Sequence, residues 1–270
     1  MAVITLLTDF GTRDEYVGAM KGVILSIAPR VTLVDISHEV PPQDVGRAAY
    51  LLEGYHRYFP EGAIHVVVVD PGVGGSRAIV AVRTQACTFL VPDNGVLTRV
   101  IDDQVPEVAV RVENRGFFLP HVSRTFHGRD IFAPVAAHLA AGADIRKLGP
   151  RVACDELVRL DIPPVVVTGE TEVRGCVMTF DRFGNAVTNI DRQQLAALSG
   201  KGELEVRLGG RRIAGLSPSY ASVPPGQALA LVGSRGYLEI GINCGSAREV
   251  LGLAVGDPVH VRALPSRPPL

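Results

Sequence analysis

The chain has 270 residues, 47% of them hydrophobic and 20% charged, with a formal net charge of −1 at pH 7. This length and composition predict a globular protein with one large domain or two smaller ones. Because the sequence contains no basic run, we expect neither a nucleic-acid partner nor a membrane partner, and we expect a small ligand.

Strands and helices alternate in the first part of the chain. Apolar patterns predict five strands there, at residues 3–7, 31–36, 64–69, 78–82 and 88–91. The strands at 31–36 and 64–69 are expected to be buried. Between strands, a capping box of Thr12 and Glu15 is expected to open a helix that Pro29 ends. The apolar face of this helix would carry Val17, Met20, Ile24 and Ile27.

Two further helices are predicted before residue 150. The inner face of one would carry Val45, Ala48, Ala49 and Leu52. The other is expected at about residues 130–141, and Gly142 would end it. Alternation of this kind predicts an α/β domain with a mainly parallel central sheet.

The pattern changes after Asp161, where two prolines follow at positions 163 and 164. Short strands are predicted from there on, at residues 175–180, 203–208, 228–232, 237–242 and 258–262, with one short helix at 193–198. They indicate a smaller antiparallel β domain, a barrel or a sandwich. We place the domains at residues 1–162 and 165–264, with the boundary near residue 163.

The cysteines and the N-terminal segment exclude several classes of protein. Cys87, Cys154, Cys176 and Cys244 have no zinc-ligand spacing, so reduced thiols are expected, with neither a metal site nor a disulfide framework. The first residues, MAVITLLTDFG, lack a basic region and reach Asp9 after eight residues. We therefore expect no signal peptide, no membrane span and a cytoplasmic location.

The loop after the strand at 64–69 places one carboxylate, Asp70, before a glycine-rich turn that ends at Arg77. In open α/β sheets, ligands bind at the carboxyl ends of the strands, and glycines allow the backbone to approach them closely. The loop is followed by a strand pattern, whereas a dinucleotide-binding loop would open a helix. An Asp-Pro turn with an Arg salt bridge explains the same residues about equally well.

Four other segments carry polar groups that the local pattern does not require: TDFGTRD, TFHGRD, DRFGN and GSRG followed by an asparagine. Their candidate residues are Asp9 and Asp14 in the first segment, His127 in the second, Asp181, Phe183 and Asn185 in the third, and Ser234, Arg235 and Asn243 in the fourth. A helix cap, a structural histidine, a hairpin turn and a surface turn are the alternatives.

Taken in order, these five segments resemble the S-adenosyl-L-methionine hydrolase (adenosine-forming) family, also called SAM hydroxide adenosyltransferases, which is related to the fluorinase and chlorinase. The resemblance extends from Ile4 to about Val261. It implies an α/β domain followed by a β-rich domain. It also implies a homotrimer, in which the substrate lies between the N-terminal domain of one subunit and the C-terminal domain of the next.

The resemblance also implies a role for each candidate residue. Asp70, Arg77 and His127 correspond to the hydrolase triad, and Asp9 to the group that binds the ribose diol. The methionine end would be held by Asp14, Asp181, Ser234 and Arg235. The adenosine would be contacted by Phe183 and Asn185. Apart from the resemblance, the residues after GSRG themselves indicate that backbone groups near Asn243 could read a purine.

Within this family the chain differs from the halogenating enzymes. The fluorinase has a tyrosine in place of Asp70, a threonine in place of Val73 and an aromatic residue that aligns near Gln43. These differences favour water over halide as the nucleophile, and they leave the adenine contact near Gln43 open.

The expected reaction is in-line attack of water at the ribose C5′ of S-adenosyl-L-methionine. Since a sulfonium has a neutral leaving group, no general acid, metal or cofactor is required. His127 could accept the proton or complete the hydrogen bonds of the water. The alternatives are a halogenase, a non-catalytic binding protein, which would not need the triad, and a metal-dependent hydrolase, for which the histidine spacing is wrong.

Overall fold

A computed structural model describes residues 2–169, 171–198 and 203–264 of the chain. The chain divides into two units, Met1–Leu160 and Asp161–Leu270. The first unit has two clusters of buried apolar side chains, and the second unit has one of its own. Each unit therefore has its own hydrophobic core.

The first unit contains a six-stranded sheet. Its strands are β1 (Val3–Thr8), β2 (Thr32–Ser37), β3 (Ala63–Val68), β4 (Ile79–Arg83), β5 (Cys87–Pro92) and β6 (Val108–Arg111), in the order β2-β1-β3-β5-β4-β6. The pairs β1–β2, β1–β3 and β3–β5 are parallel, and β4 is antiparallel to both of its neighbours. The prediction of a mainly parallel sheet is confirmed.

The helices of the first unit are α1 (Tyr16–Ile27), α2 (Val45–Tyr55), α3 (Thr98–Asp103) and α4 (Ala133–Ala140). One buried cluster combines alternate residues of β1 and β3 with side chains of α1 and α4, and the other combines the remaining strand residues with α2 and α3. Both faces are thus covered, which explains why all six residues of β3 are buried. Among the described residues, no helix has the length and apolar character needed to cross a membrane.

Two local predictions in this unit are wrong. β2 is half exposed because it lies at the edge of the sheet. The helix α1 starts at Tyr16 without a side-chain cap, and the hydroxyl of Thr12 instead donates to the carboxylate of Glu39 at 3.4 Å. A capping box requires its Thr at the N-cap, and here that position is Glu15.

The helix expected at 130–141 starts earlier than predicted. A π-helical turn, Gly128–Phe132, leads directly into α4, and His127 lies at its N-terminal boundary. π turns inside helices are rare and often occur at functional sites.

The second unit is an antiparallel β domain. Its strands are β7 (Val166–Thr168), β8 (Glu172–Phe180), β9 (Ala186–Asp191), β10 (Glu203–Leu208), β11 (Arg211–Ala214), β12 (Ala228–Val232), β13 (Tyr237–Ile242) and β14 (Pro258–Leu264). They pair in the order β11-β10-β14-β8-β9-β13-β12, with β7 beside β8. Two short helices, α5 (Arg192–Leu198) and α6 (Ala247–Leu251), accompany them. The antiparallel domain is confirmed, although the sequence patterns did not reveal β7, β9 or β11.

Candidate active site

Polar side chains of the first unit meet where neighbouring strands end. Thr8 of β1 pairs with Val68 of β3, so Asp9 and Asp70 follow the carboxyl ends of adjacent parallel strands. Asn94, which follows β5, donates from its side chain to the carbonyl of Val69 at 2.9 Å. This amide supports the backbone immediately before Asp70, and sequence reasoning did not single it out.

Asp70, Arg77 and His127 form a continuous hydrogen-bonded group. The Arg77 Nε lies 2.9 Å from both carboxylate oxygens of Asp70, and its Nη2 lies 2.5 Å from Oδ2. The same Nη2 lies 2.8 Å from Nδ1 of His127. The side chains of Asp70 and Arg77 are only 5% and 12% exposed. A largely buried pair of this geometry is strongly oriented.

The contact with Arg77 determines the hydrogen position on His127. A guanidinium can only donate, so Nδ1 of His127 must accept, and the ring hydrogen of the neutral imidazole is on Nε2. Partial burial and the positive charge of Arg77 lower the pKa of His127, against the opposing charges of Asp70 and Asp130. His127 is therefore held as a neutral imidazole.

Glycines allow the close approach of the loops that carry these three side chains. Gly74 has a φ of 74°, and a Cβ there would collide with the backbone carbonyl of Arg124, three residues before His127. A Cβ at Gly128 would lie 3.2 Å from side-chain atoms of Met20, Phe10 and Phe126. The segment around His127 thus packs against both the Asp70 loop and the start of α1.

An aromatic cluster surrounds this segment. The rings of Phe10 and Tyr16 both pack against Phe126, with centroid distances of 5.8 and 4.9 Å. The next charged pair, Arg129 and the fully buried Asp130, is joined by a 2.6 Å hydrogen bond, and Asp130 also accepts from the backbone of Ser123 at 2.8 Å. The sequence indicated that charged residues beside His127 could fix its tautomer, but it did not reveal the aromatic cluster. In the structure Arg129 and Asp130 bond to each other, and the contact with Nδ1 of His127 comes from Arg77.

The two N-terminal carboxylates differ in their surroundings. Asp9 is half buried, and its Oδ2 accepts from the backbone N–H of Gln43 at 2.8 Å. Gln43 has a φ of 66°, which is unusual for a residue other than glycine. Asp14 is exposed at the turn before α1. The structure brings Gln43 next to Asp9 through its backbone.

In the second unit, a cavity of about 480 Å³ lies beside the DRFGN segment. It is lined by Phe183, Asn185, Tyr220, Ile242, Cys244 and Gly245. Phe183 is 76% exposed, whereas Asn185 is 5% exposed. An exposed ring beside a buried amide is suited to a flat ligand that carries polar edge groups.

Asp181 orders the turn of this segment. Its Oδ1 accepts from the backbone N–H groups of Phe183 and Asn185, both at 2.9 Å, and its Oδ2 accepts from Nδ2 of Asn185 at 2.8 Å. The second hydrogen of that Nδ2 points to the Tyr220 hydroxyl at 3.3 Å. Both amide hydrogens of Asn185 are therefore engaged, which leaves its Oδ1 to accept from a ligand.

The GSRG segment and Asn243 also belong to this unit. Ser234 is exposed, and Arg235 is half buried. The Asn243 side chain donates to the backbone carbonyl of Val223 at 2.6 Å, and the Asn243 backbone N–H donates to the backbone carbonyl of Gln227 at 3.0 Å. Asn243 thus holds its own loop, next to the cavity-lining Cys244.

Another cavity, of about 560 Å³, lies in the first unit next to residues that precede β1 and β2. Its lining is Ala2, Ile27, Ala28, Pro29, Arg30, Val31, Ala140 and Ala141. It lacks the convergent polar groups of a catalytic site and is at the amino ends of the strands, opposite the edge that carries Asp70. Within residues 2–169, 171–198 and 203–264, the structure has no group of three His, Cys, Asp or Glu side chains arranged to hold a metal ion.

Two family models match this chain. The model of the SAM hydroxide adenosyltransferase N-terminal domain matches residues 4–149. The model of the SAM hydroxide adenosyltransferase C-terminal domain matches residues 175–260. Together the two matches include every candidate residue of both units.

Known proteins are similar over nearly the whole chain. A protein of Thermus thermophilus named (R)-S-adenosyl-L-methionine hydrolase is 42% identical, with 97% of this chain and all of the relative covered. A fluorinase of Nocardia brasiliensis is 32% identical, with 96% of each chain covered. The crystal structure of an uncharacterized conserved protein from Thermotoga maritima has a TM-score of 0.88 at 38% identity, and the match covers 96% of this chain and 99% of that one.

Proposed function

The chain belongs to the SAM hydroxide adenosyltransferase family, and we propose that, as an enzyme of this family, it hydrolyses S-adenosyl-L-methionine to adenosine and L-methionine. The 42% identity to a protein named for this activity supports the proposal, since the fluorinase relative is more distant at 32%. The observation that carries it is the hydrogen-bonded group of Asp70, Arg77 and His127.

In the proposed reaction, a water oxygen attacks the ribose C5′ while the bond from C5′ to sulfur breaks. The sulfonium leaves as the neutral thioether of methionine, and one proton is released. Asp70 accepts a hydrogen bond from the attacking water, and its negative charge faces the cationic sulfonium. Because a carboxylate is a weak base, we infer that the proton is transferred late, as the attacking oxygen becomes positive.

Arg77 and His127 orient these groups. Arg77 holds both oxygens of Asp70, which restricts the direction in which the carboxylate can accept from water. His127 accepts from Arg77 at Nδ1, so its ring hydrogen is on Nε2, where it can bond to the water or to the nearby Ser123 backbone. Of the two roles that the sequence left open for His127, this geometry favours orientation of the water over acceptance of its proton.

The remaining candidate residues are assigned to the substrate. We propose that Asp9 binds the ribose diol, that Phe183, Asn185 and the segment at Asn243 contact the adenosine, and that four residues hold the methionine end. These four are Asp14, Asp181, Ser234 and Arg235. Support comes from the cavity beside Phe183 and Asn185, and from the half-buried position of Asp9 at the carboxyl edge of the sheet.

We further propose a cytoplasmic homotrimer that needs neither metal nor cofactor and has active sites shared between subunits. The assignment of substrate contacts to both units supports shared sites, and a neutral leaving group supports chemistry without a Lewis acid. Activity that survives a strong chelator, and a trimer mass by light scattering, are the expected results.

Halide is the competing nucleophile. A halide near Asp70 would meet a fixed negative charge, and two like charges about 4 Å apart at an effective dielectric near 20 repel by roughly 4 kcal/mol. That corresponds to an affinity on the order of a thousandfold lower. We therefore expect no appreciable 5′-chloro-5′-deoxyadenosine in molar chloride, and its appearance as a major product would favour a halogenase.

The deciding experiment is incubation of pure protein with S-adenosyl-L-methionine in ¹⁸O-labelled water. Adenosine and methionine are expected together, with the label at the 5′ oxygen of adenosine. Methylthioadenosine as the product, or adenosine without label, would contradict attack of water at C5′.

A further inference from the structure

Glu239 of β13 contacts two candidate binding segments of the second unit, although no sequence motif pointed to it. Its Oε2 accepts from the hydroxyl of Tyr220 at 2.8 Å. Its carboxylate also lies against Gly233, where a Cβ would collide with it, so the first position of the GSRG segment accommodates Glu239. One carboxylate therefore contacts both the cavity wall at Tyr220 and the loop that carries Arg235.

A chain of hydrogen bonds with one direction runs from this carboxylate to the cavity. The only hydrogen of the Tyr220 hydroxyl goes to Glu239, so the Tyr220 oxygen is an acceptor for the Nδ2–H of Asn185. The other Nδ2–H of Asn185 goes to Asp181. Because an ionised carboxylate can only accept hydrogen bonds, Glu239 and Asp181 fix which atoms of Tyr220 and Asn185 donate and which accept.

The consequence is a cavity edge that offers acceptors. Oδ1 of Asn185 can accept from a ligand, while the hydrogens of Tyr220 and Asn185 are committed elsewhere. Gly241 makes room for this arrangement, since a Cβ there would lie 2.8 Å from Oδ1 of Asn185 and 2.9 Å from the Tyr220 ring. An exocyclic amino group of a base donates to such an edge, whereas an oxo group at the same position does not.

On balance, the surroundings of Glu239 raise its pKa. Burial raises the pKa of Glu239, and the nearby charge of Asp181 adds to this effect. The Tyr220 hydrogen bond and the positive charge of Arg235 lower it. The groups that support an ionised Glu239 therefore belong to the same loops that it organises.

We propose that Glu239 is a positioning residue that makes the second unit selective for a 6-aminopurine over a 6-oxopurine, by taking the hydrogen of Tyr220. This inference rests on the proposed function, because it assumes that the cavity beside Asn185 receives the adenine of the substrate. Glu239 acts through Tyr220 and Asn185.

Calorimetric binding of adenosine and inosine to the whole protein tests the inference without requiring turnover. For the unaltered chain we expect a preference for adenosine of about a hundredfold, since an unpaired acceptor must face the oxo group of inosine. Glu239→Gln keeps the size of the side chain, but its amide can donate or accept, so the Tyr220 hydrogen is no longer committed. We expect adenosine affinity within about threefold and a preference reduced to about tenfold.

Three further variants complete the series. Tyr220→Phe removes the hydroxyl that connects Glu239 to Asn185, and it is expected to reduce the preference for adenosine over inosine to a similar extent. In the double variant, Glu239→Gln should cause no further reduction. Glu203→Ala, at an exposed glutamate of β10, is the matched control for loss of one negative charge from the same unit and should leave the preference unchanged.

The outcomes separate the inference from the proposed function. If adenosine binds and S-adenosyl-L-methionine is hydrolysed, but both nucleosides weaken equally in Glu239→Gln and Tyr220→Phe, Glu239 is merely structural and the inference is wrong. If the unaltered chain neither binds adenosine nor hydrolyses the substrate, the proposed function is wrong and the inference falls with it.

Discussion

Asp70, Arg77 and His127 hold one another by direct hydrogen bonds at the end of a buried parallel strand, whereas Asn185 in the second unit is oriented by Asp181 and Tyr220 from separate loops. The first arrangement restricts charged groups through burial and bidentate geometry. The second restricts a neutral amide through the direction of its hydrogen bonds. If the proposed roles are right, chemistry at the reacting atom and discrimination between bases rest on different physical constraints.

The largest test of this contrast is Asp70→Asn, which keeps the size of the side chain and removes its charge. We expect kcat to fall about a thousandfold with KM within about threefold, because the charge acts mainly in the transition state. Steady-state kinetics with chromatographic detection of adenosine measures both constants.

The companion variant is Asp9→Ala, which should mainly raise KM, by about tenfold, if Asp9 binds the ribose diol. If instead Asp70→Asn loses substrate affinity by calorimetry while its bound complex reacts at the normal rate, Asp70 holds substrate and the contrast between the two units is wrong.

The units should also differ in their response to acid. His65 of β3 is fully buried, and burial lowers its pKa to about 3, with a contribution from His56. Below pH 6.5 the unfolded chain binds a proton that folded His65 does not, so the stability of the first unit falls as the pH drops from there towards 3. At pH 5 the loss is roughly 2 kcal/mol.

Urea unfolding at pH 7.5 and pH 5, followed by probes in each unit, measures this loss. His65→Asn can keep the hydrogen bond that Nδ1 makes with Thr5 at 2.9 Å, and it does not titrate, so its midpoint should change less with pH. His121→Asn, at an exposed histidine, is the control and should behave like the unaltered chain. An equal pH dependence in all three proteins would contradict the assignment to His65.

A smaller effect is expected from the packing of the Asp70 loop. Gly74 and Gly210 share a φ of 74°, but a Cβ at Gly210 meets nothing within 4 Å, whereas one at Gly74 collides with the Arg124 carbonyl. Both alanine variants carry the strain of a left-handed conformation. Only Gly74→Ala should also displace the Asp70 loop from the His127 segment, with kcat about tenfold lower than in Gly210→Ala. Equal kcat values would show that this contact does not position the triad.

The smallest expected effect is a partial recovery of enzymatic activity when two inactive variants are mixed. This experiment tests whether the two halves of the site come from different subunits. Mixing Asp70→Ala with Asn185→Ala chains under exchange conditions should restore up to about a quarter of the unaltered activity, the statistical share of interfaces with two intact halves in a cyclic homo-oligomer. Mass spectrometry of differently labelled chains verifies the mixing. Proven exchange without recovered activity would mean that each site lies within one chain.

Much of the fold, and the choice of the candidate site residues, follows from local sequence patterns. The buried strand before Asp70, the helical face of α1 and the change to short strands after Asp161 follow from local patterns, and the structure has them. The five motifs also identified the family, because their order and spacing are specific even where each one alone is weak.

Other features depended on contacts between distant residues, which periodicity does not encode. The exposure of β2 follows from its place at the sheet edge, and β9 was missed although five of its six residues are buried, since its polar side chains are buried as well. The hydrogen position on His127 follows from Arg77, fifty residues away. The polarity of Asn185 follows from Tyr220 and Glu239.

The sequence by itself therefore determined many of the helices and strands, which residues carry charge at the ends of the strands and which family the chain resembles, because these depend on residue type and short-range spacing. Only the tertiary structure decided which nitrogen of His127 carries the hydrogen and which atoms of Asn185 are engaged in hydrogen bonds within the protein. The physical reason is that a hydrogen bond has a direction, and that direction is set by the partner that the fold brings into contact.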